Sequence, residues 1–204
     1  MKGIMINVER CIGCRHCEIA CSIEHSQSKD AFKMINETPK PASRIFVEVG
    51  INFLTFPNRC RHCEPAPCMQ VCPTNALQRD EKTDSVLVNY GKCISCTACA
   101  IACPFGIIQF KELYGVDRIV NAKCDNCIGR QMSGEIPACV EACKTGALEF
   151  GDMNELIRTS RKDFTVRLIK SKGTEVEVLK IPENIKLFRN FLEKIAREGP
   201  FKEV

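Results

Sequence analysis

The chain has 204 residues, of which 45% are apolar and 26% are charged. This length and composition suit one or two compact domains with a hydrophobic core, and they exclude a disordered chain. The formal net charge is +4, but that count treats all sixteen cysteine thiols as neutral. So many cysteines predict one of three arrangements: a disulfide framework, zinc sites or iron–sulfur clusters.

The residues before the first cysteine bear on the compartment. The ten residues Met1 to Arg10 contain neither a long apolar segment nor a twin-arginine pair. We therefore expect a reducing, cytoplasmic location, in which thiols stay available for metals. The longest uncharged stretch, Cys93 to Phe110, contains four cysteines and a proline, so we expect no direct membrane insertion.

The sixteen cysteines fall into four groups of four along the chain, with none left over. In chain order, groups one and two are Cys11, Cys14, Cys17, Cys21 and Cys60, Cys63, Cys68, Cys72. Groups three and four are Cys93, Cys96, Cys99, Cys103 and Cys124, Cys127, Cys139, Cys143. A proline directly follows groups two and three.

Short β-like segments flank these groups. One kind leads into a group, at Ile4–Val8, Val86–Tyr90 and Arg118–Ala122. Another kind follows a group, at Ala76–Arg79, Ile107–Lys111 and Ala147–Phe150. A repeated unit of strand, ligand loop, short helix and strand is typical of bacterial two-cluster ferredoxins. Group one departs from this unit, because it runs into an insertion, Ser22–Ser43, whose Pro39 and Pro41 predict a loop.

After Gly151 the cysteines stop and the composition changes. Phe164–Lys170 and Glu175–Ile181 alternate between apolar and polar residues and predict a β-hairpin. Pro182–Arg197 has the apolar spacing of an amphipathic helix. This tail either packs on the cysteine-rich core or docks a partner subunit, and the sequence leaves both open.

The cysteine spacings favour iron–sulfur clusters over zinc. In a C-x₂-C-x₂-C loop, three sulfurs can wrap three corners of one cube, and in two-cluster ferredoxins the fourth cysteine ligates the other cluster. Group three fits this pattern, including Pro104 after its last cysteine. Zinc sites instead use two well-separated C-x₂-C pairs, which only group four resembles. The sequence therefore predicts four [4Fe–4S] clusters.

Such clusters define the chemistry that we expect. An oxidised cluster with four thiolates carries about −2, so four of them change the net charge to roughly −4 and argue against a nucleic-acid partner. Fully cysteine-ligated clusters leave no position for a substrate, and the sequence has no nucleotide-binding glycine motif. We expect outer-sphere electron transfer, with no catalytic residue in this chain. His16, His25 and His62 are expected to be surface or hydrogen-bonding groups, and a role in tuning cluster potentials stays open for His16 and His62.

The order of spacings resembles the four-cluster ferredoxin subunits of the dimethyl sulfoxide reductase and formate dehydrogenase type, over Met1 to Gly151. Within that family, the segments Cys21–Asp30 and Arg44–Glu48 are similar to the electron-transfer subunit associated with carbon monoxide dehydrogenase. The resemblance implies an α+β fold of two nested ferredoxin-like units. The outer unit would comprise residues 1–57 and 110–151, the inner unit 58–109, and a C-terminal hairpin and helix 152–204.

The resemblance also implies crossed ligation, in which the last cysteine of each group serves a partner group. Clusters 1 and 2 would take Cys11, Cys14, Cys17, Cys143 and Cys124, Cys127, Cys139, Cys21. Clusters 3 and 4 would take Cys60, Cys63, Cys68, Cys103 and Cys93, Cys96, Cys99, Cys72. Relatives with a three-iron cluster lack the cysteine that stands here as Cys96, so a complete cube is expected.

The partners follow from the same resemblance. Carbon monoxide dehydrogenase or another catalytic redox subunit would donate electrons, and a hydrogenase or a flavin NAD(P) oxidoreductase would accept them. The alternative donor is a cytoplasmic formate dehydrogenase or a related molybdenum or tungsten oxidoreductase. A zinc-binding interaction module is a second alternative from a different class.

Overall fold

The structure is a computed structural model that describes residues 2–50, 54–172 and 190. It divides into two compact units, Met1–Ile157 and Arg158–Val204. The strands are β1 (Lys2–Ile6), β2 (Ile45–Val49), β3 (Thr55–Arg59), β4 (Leu77–Arg79), β5 (Val86–Val88), β6 (Phe110–Leu113), β7 (Val116–Asn121) and β8 (Leu148–Asp152). The helices are α1 (His16–Glu24), α2 (Pro67–Gln70), α3 (Ala98–Ile101), α4 (Ile128–Met132), α5 (Ala138–Glu141) and α6 (Met153–Lys172).

The strands form four separate antiparallel pairs: β1 with β8, β2 with β3, β4 with β5, and β6 with β7. Each of the six β segments predicted beside the cysteine groups overlaps one of these strands. The pair of β1 and β8 joins the two ends of the cysteine-rich region, with Ile4 opposite Phe150. The pair of β4 and β5 lies between groups two and three. This small mixed architecture of short strands and helices is the kind expected for a ferredoxin-like [4Fe–4S] domain.

The helices that carry cysteines also pack in pairs. Helix α1, with Cys17 and Cys21, packs against α5, which contains Cys139. Helix α2, with Cys68, packs against α3, which contains Cys99. Groups one and four are thereby brought together at one pair of helices, and groups two and three at another.

The hydrophobic core includes the cysteines themselves. One cluster of buried side chains contains Ile4, Ile45, Val47 and Leu148 together with three cysteines, Cys17, Cys21 and Cys139. A second cluster combines Leu77 and Val86 with Cys99. Because the aliphatic side chains of the short strands pack around thiols, several of the cysteines are part of the core of Met1–Ile157.

The strands β2 and β3 were not expected from the sequence. They pair in antiparallel register with Val47 opposite Pro57, and Ile45 and Val47 face the core. A proline inside a strand argues against a strand assignment, but β3 has only one strand neighbour among the described residues, so it can include Pro57. The insertion after group one is also more ordered than a loop: Ser22–Glu24 continue α1, and Lys33–Asn36 form a 3-10 turn.

The predicted C-terminal hairpin is wrong in its first strand. Phe164–Lys170 lies inside the continuous helix α6. The alternation of Phe164 and Leu168 suggested a strand, yet Ile157, Phe164 and Leu168 also match a helical period. The Asp152 carboxylate accepts the backbone N–H groups of Asn154 and Glu155, which caps the start of the helix.

Two further parts of the C-terminal prediction cannot be compared with the structure. Glu175–Ile181 and, apart from Asn190, the predicted helix Pro182–Arg197 lie outside the described residues. Within the described residues, no helix is long and apolar enough to cross a membrane.

Candidate metal centres

Two pockets are lined by four cysteines each, and both combine cysteines of two groups. The first has a volume of about 330 Å³ including its open mouth. Its cysteines are Cys72 of group two and Cys93, Cys96 and Cys99 of group three. The second has a volume of about 350 Å³, and its cysteines are Cys60, Cys63, Cys68 and Cys103. The last cysteine of each middle group therefore lines the pocket of the other group.

Groups one and four also meet in space. Cys11 and Cys143 pack against the core cluster that contains Cys17, Cys21 and Cys139. Burial raises the pKa of the Cys17 thiol to about 12, with smaller contributions from charge on Glu18, Cys143 and Cys14. The structure thus places Cys143 close to Cys17 of group one.

The remaining four cysteines are the most shielded set. Burial raises the pKa of Cys127 to about 12 and that of Cys139 well above its usual value. Charge on Cys124 and Cys21 raises both pKa values further. Cys21, Cys127 and Cys139 are buried, and Cys124 is half-buried. Thiols with such raised pKa values stay protonated at neutral pH unless a metal displaces the proton.

The arrangement of these cysteines differs from a site for a single ion. Among the described residues, no three Cys, His, Asp or Glu side chains converge closely enough to hold one metal ion. Four thiolates around a zinc ion each lie about 2.3 Å from it, which forces the sulfurs together. The four thiolates of an iron–sulfur cluster each bind a different corner of a cage of several atoms, so their sulfurs lie further apart than around one zinc ion. The wider separation of the cysteines in these pockets fits a cluster.

The four ligand loops share one backbone feature. The second residue after the first cysteine of each group has a left-handed conformation: Gly13 (φ 70°), His62 (φ 50°), Ser95 (φ 56°) and Asn126 (φ 60°). This conformation costs a non-glycine residue roughly 1–2 kcal/mol. It turns the His62 N–H toward Cys60 Sγ at 3.5 Å and the Asn126 N–H toward Cys124 Sγ at 3.3 Å. Three different non-glycine residues therefore adopt the same ligand-loop turn as Gly13.

Two buried cations lie beside the thiols of groups two and four. Arg59 and Lys123 are only 3% and 1% exposed, and neither has a carboxylate partner among the described residues. Arg59 Nη2 donates to Asn126 Oδ1 (2.9 Å) and lies 3.8 Å from Cys124 Sγ. Burial would lower the pKa of Arg59, but thiolate charge on Cys124 and Cys139 outweighs that effect and raises it.

These cations fit an anionic cluster. Lys123 Nζ donates to the carbonyl oxygens of Val86 and Cys124, which are neutral acceptors. The Arg59 Nε atom is buried without any hydrogen-bond acceptor among the described residues. A buried charge is costly unless an opposite charge compensates it. A cluster with four thiolates, carrying about −2, would supply that compensation.

A partly buried network of charges holds Cys21 against the group-four loop. Asp125 accepts hydrogen bonds from Arg44 Nη1 (2.9 Å) and His25 Nε2 (3.1 Å), and His25 Nδ1 donates to the Cys21 carbonyl oxygen (2.7 Å). Burial lowers the pKa of His25, but the bonds to Asp125 and Cys21 outweigh it and raise that pKa to about 10. His25 is thus a structural hydrogen-bonding group, as the sequence predicted.

The roles of Arg59 and Lys123, and the pairing of Arg44 and Asp125 with His25, were not predicted from the sequence. One signal was present, because a basic residue directly precedes the first cysteine of every group: Arg10, Arg59, Lys92 and Lys123. Only the second and fourth of these are buried, whereas Arg10 is exposed and pairs with Glu149. The tertiary packing, which the sequence pattern does not reveal, makes this distinction.

Exposure distinguishes two of the sixteen cysteines from the rest. Cys14 and Cys96 are exposed, whereas the other fourteen cysteines are buried or half-buried. Beside them lie two exposed isoleucines, Ile12 (72% exposed) and Ile94 (61%). We call Ile12 with Cys14 the group-one face, and Ile94 with Cys96 the group-three face. Exposed apolar residues next to an accessible redox ligand are suited to contact another protein.

Comparison with known proteins agrees with this chemistry. Residues 51–153 match the family described as 4Fe-4S dicluster domain. The chain is 37% identical over 170 residues to the electron transport protein HydN of Escherichia coli (strain K12), covering 78% of this chain and 93% of HydN. It is 37% identical over 163 residues to the thiosulfate reductase electron transfer subunit PhsB of Salmonella typhi, covering 74% of this chain and 77% of PhsB. It is 32% identical over 195 residues to the protein NrfC of Escherichia coli (strain K12), covering 88% of this chain and 80% of NrfC.

The fold, the cysteine pockets and these relatives define an iron–sulfur electron-transfer protein of oxidoreductase systems. More particularly, the chain belongs to the family of 4Fe-4S dicluster domain proteins.

Proposed function

We propose that the chain holds four [4Fe–4S] clusters with crossed ligation and conducts electrons between a catalytic redox subunit and a second redox partner. The observation that carries this proposal is the pair of four-cysteine pockets, each combining three cysteines of one group with the last cysteine of another. When bound, the clusters supply one-electron, outer-sphere transfer. The protein residues hold the cysteines in place, exclude water and compensate the cluster charge.

We extend the crossed pattern to groups one and four. Cys143 would complete the site of Cys11, Cys14 and Cys17, and Cys21 would complete that of Cys124, Cys127 and Cys139. The packing of α1 on α5 and the pairing of β1 with β8 support an outer unit of residues 1–57 and 110–151. The packing of α2 on α3 and the pairing of β4 with β5 support an inner unit of residues 58–109.

The exposure of the cysteines supports an order for the electron path. The cluster of Cys11, Cys14, Cys17 and Cys143 would lie at one end, followed by the group-four and group-two clusters. The cluster built on group three would lie at the other end. Only the two end sites have an exposed cysteine, Cys14 or Cys96, so electrons would be exchanged with partners at the group-one and group-three faces. The family resemblance described above implies that the donor binds at the group-one face, and the acceptor would then bind at the group-three face.

For the partners, we propose carbon monoxide dehydrogenase as the donor and a hydrogenase or flavin NAD(P) oxidoreductase as the acceptor. The segments Cys21–Asp30 and Arg44–Glu48 support this choice through the resemblance described above. A formate dehydrogenase or another molybdenum or tungsten oxidoreductase is the second candidate donor. The similarity to a thiosulfate reductase electron transfer subunit supports a catalytic redox subunit as partner without favouring either donor. Assembly of clusters on sixteen free thiols favours a reducing compartment such as the cytoplasm.

The metal content tests the proposal directly. Protein purified without oxygen is expected to contain about sixteen iron and about sixteen acid-labile sulfide per chain, because each cluster contributes four of each. Iron, sulfide and zinc are measured on the same sample. Stoichiometric zinc with little iron would replace the electron-transfer proposal with the zinc-module alternative.

The direction of transfer is tested at the two faces. Ile12→Glu is expected to weaken binding of the donor at least tenfold and to leave transfer to the acceptor unchanged, because a buried carboxylate without a partner is costly. Ile94→Glu is the matched variant at the other face and is expected to have the reverse effect. Donor binding is measured after co-purification from native extract, which also identifies the donor. An unchanged donor affinity in Ile12→Glu, with a loss in Ile94→Glu, would reverse the proposed direction.

A further inference from the structure

His62 has a ring nitrogen whose partner is not provided by the protein. It lies between Cys60 and Cys63 in the group-two loop, with the left-handed backbone described above (φ 50°). The residue as a whole is half-buried, but its Nε2 atom is shielded from solvent. No acceptor or donor lies within hydrogen-bonding distance of Nε2 among the described residues.

The other ring nitrogen determines where the proton of His62 lies. The Val86 N–H donates a hydrogen bond to His62 Nδ1 at 2.9 Å. A nitrogen that accepts a hydrogen bond carries no proton, so the neutral ring must carry its hydrogen on Nε2. Val86 begins strand β5 and is 1% exposed, so this bond anchors the ring to the core. His62 Nε2 is therefore a buried N–H donor in a fixed direction.

The surroundings of the ring indicate the missing acceptor. His62 lines the pocket whose cysteines are Cys60, Cys63, Cys68 and Cys103. The charged groups that act on the ring are Lys123, Arg59 and Arg79, which are cations and cannot accept, and Asp125, whose carboxylate is already bonded to His25 and Arg44. Buried N–H groups almost always have an acceptor in native proteins. In this pocket, the acceptor that remains is sulfur of the bound cluster.

We propose that His62 donates an N–H···S hydrogen bond from Nε2 to the cluster held by group two, and that this bond raises the reduction potential of that cluster. The inference rests on the proposed function, since it requires a cluster in the pocket. Reduction adds one electron to an anionic cluster, and a hydrogen bond to sulfur stabilises the more negative, reduced form. His62 would then tune one of the four clusters selectively.

The chain contains a matched control for this residue. The sequence Arg-His-Cys occurs twice, as Arg15-His16-Cys17 in group one and as Arg61-His62-Cys63 in group two. Both histidines directly precede a predicted ligand, so their distances along the chain from a cluster are alike. His16 is exposed at the start of α1, where water can satisfy its ring nitrogens. A general effect of histidine near a cluster would appear at both positions, whereas the proposed bond exists only at His62.

Potentiometric titrations monitored by electron paramagnetic resonance test the proposal in the intact, cluster-loaded chain. His62→Asn keeps an acceptor for Val86 N–H, suits the left-handed backbone and removes the distal N–H. We expect it to make reduction of the group-two cluster about tenfold less favourable, which is about 59 mV for one electron. His62→Gln returns an N–H donor to the distal position and should recover most of the shift. His16→Asn should leave all four potentials unchanged.

A second measurement tests the wild-type protein directly. The chain has three histidines, so histidine labelled with ¹⁵N only at its ring nitrogens introduces few signals and excludes the His62 backbone N–H that faces Cys60 Sγ. In pulsed electron paramagnetic resonance of the reduced wild-type protein, we expect a weak ¹⁵N coupling to the group-two cluster that His16→Asn retains and His62→Asn removes. Loaded His62→Asn with unchanged potentials, or wild-type protein without this coupling, would overturn the role of His62. Wild-type protein without iron and sulfide would instead overturn the proposed function.

Discussion

Cys72→Ser is expected to disrupt the cluster built on group three, although Cys72 belongs to group two in the sequence. Cys72 lines the same pocket as Cys93, Cys96 and Cys99. The Ala76 N–H lies 3.3 Å from Cys72 Sγ, an arrangement that stabilises a thiolate facing this pocket. A serine hydroxyl is a poor replacement for a thiolate ligand, so we expect up to about a quarter of the iron to be lost.

The reciprocal variant gives the control for this experiment. Cys103 belongs to group three but lines the pocket of Cys60, Cys63 and Cys68. Cys103→Ser should therefore perturb the group-two cluster and leave the signal of the group-three cluster intact. Electron paramagnetic resonance of the partly reduced proteins separates the two signals. If each serine variant instead perturbed the cluster built on its own group, ligation would be local and the proposed crossing would be wrong.

Arg59→Met is expected to lower the reduction potential of the group-four cluster. Arg59 is a permanent cation, buried near Cys124 Sγ, and no carboxylate among the described residues neutralises it. A unit charge at ~4 Å contributes roughly 4 kcal/mol at an effective dielectric constant of about 20. Because the added electron is spread over the whole cluster, we expect about half of this, which is roughly 85 mV for one electron.

Arg59→Lys is the matched control because it retains the charge and shortens the hydrogen-bonding group. Its potential should stay closer to the wild type than that of Arg59→Met. Potentiometric titration of both loaded variants provides the measurement, and iron analysis shows whether the cluster is retained. Equal potentials in the wild type and a fully loaded Arg59→Met would show that the charge of Arg59 has no electrostatic effect on the cluster.

The cysteine spacing was enough to predict the chemistry of the sites and much of the local structure. Most of the cysteines proposed to bind one cluster lie close together along the chain, so their type and spacing appear directly in the sequence. The same holds for the short β segments, since Ile4, Val86 and Leu148 lie in alternating stretches next to the ligand loops. Each predicted segment overlaps a strand of the structure.

In the C-terminal extension, the spacing of apolar residues was not enough to predict the secondary structure. The stretch that contains Phe164 and Leu168 fits both a strand and a helical period, and periodicity alone could not separate them. The structure shows the helix α6, whose start is capped by Asp152. A cap is a contact between specific atoms, and its formation depends on where the preceding strand β8 ends.

The sequence by itself determined that this protein has four groups of metal-binding cysteines in ferredoxin-type loops. Only the tertiary structure decided which side chains around those loops are shielded from water. His16 and His62 have the same neighbours in sequence, yet His16 is exposed whereas the Nε2 atom of His62 is shielded from solvent. Arg10 and Arg59 likewise differ in exposure. Burial depends on contacts between distant segments, such as His62 with Val86, and these long-range contacts control hydrogen bonding and local electrostatics.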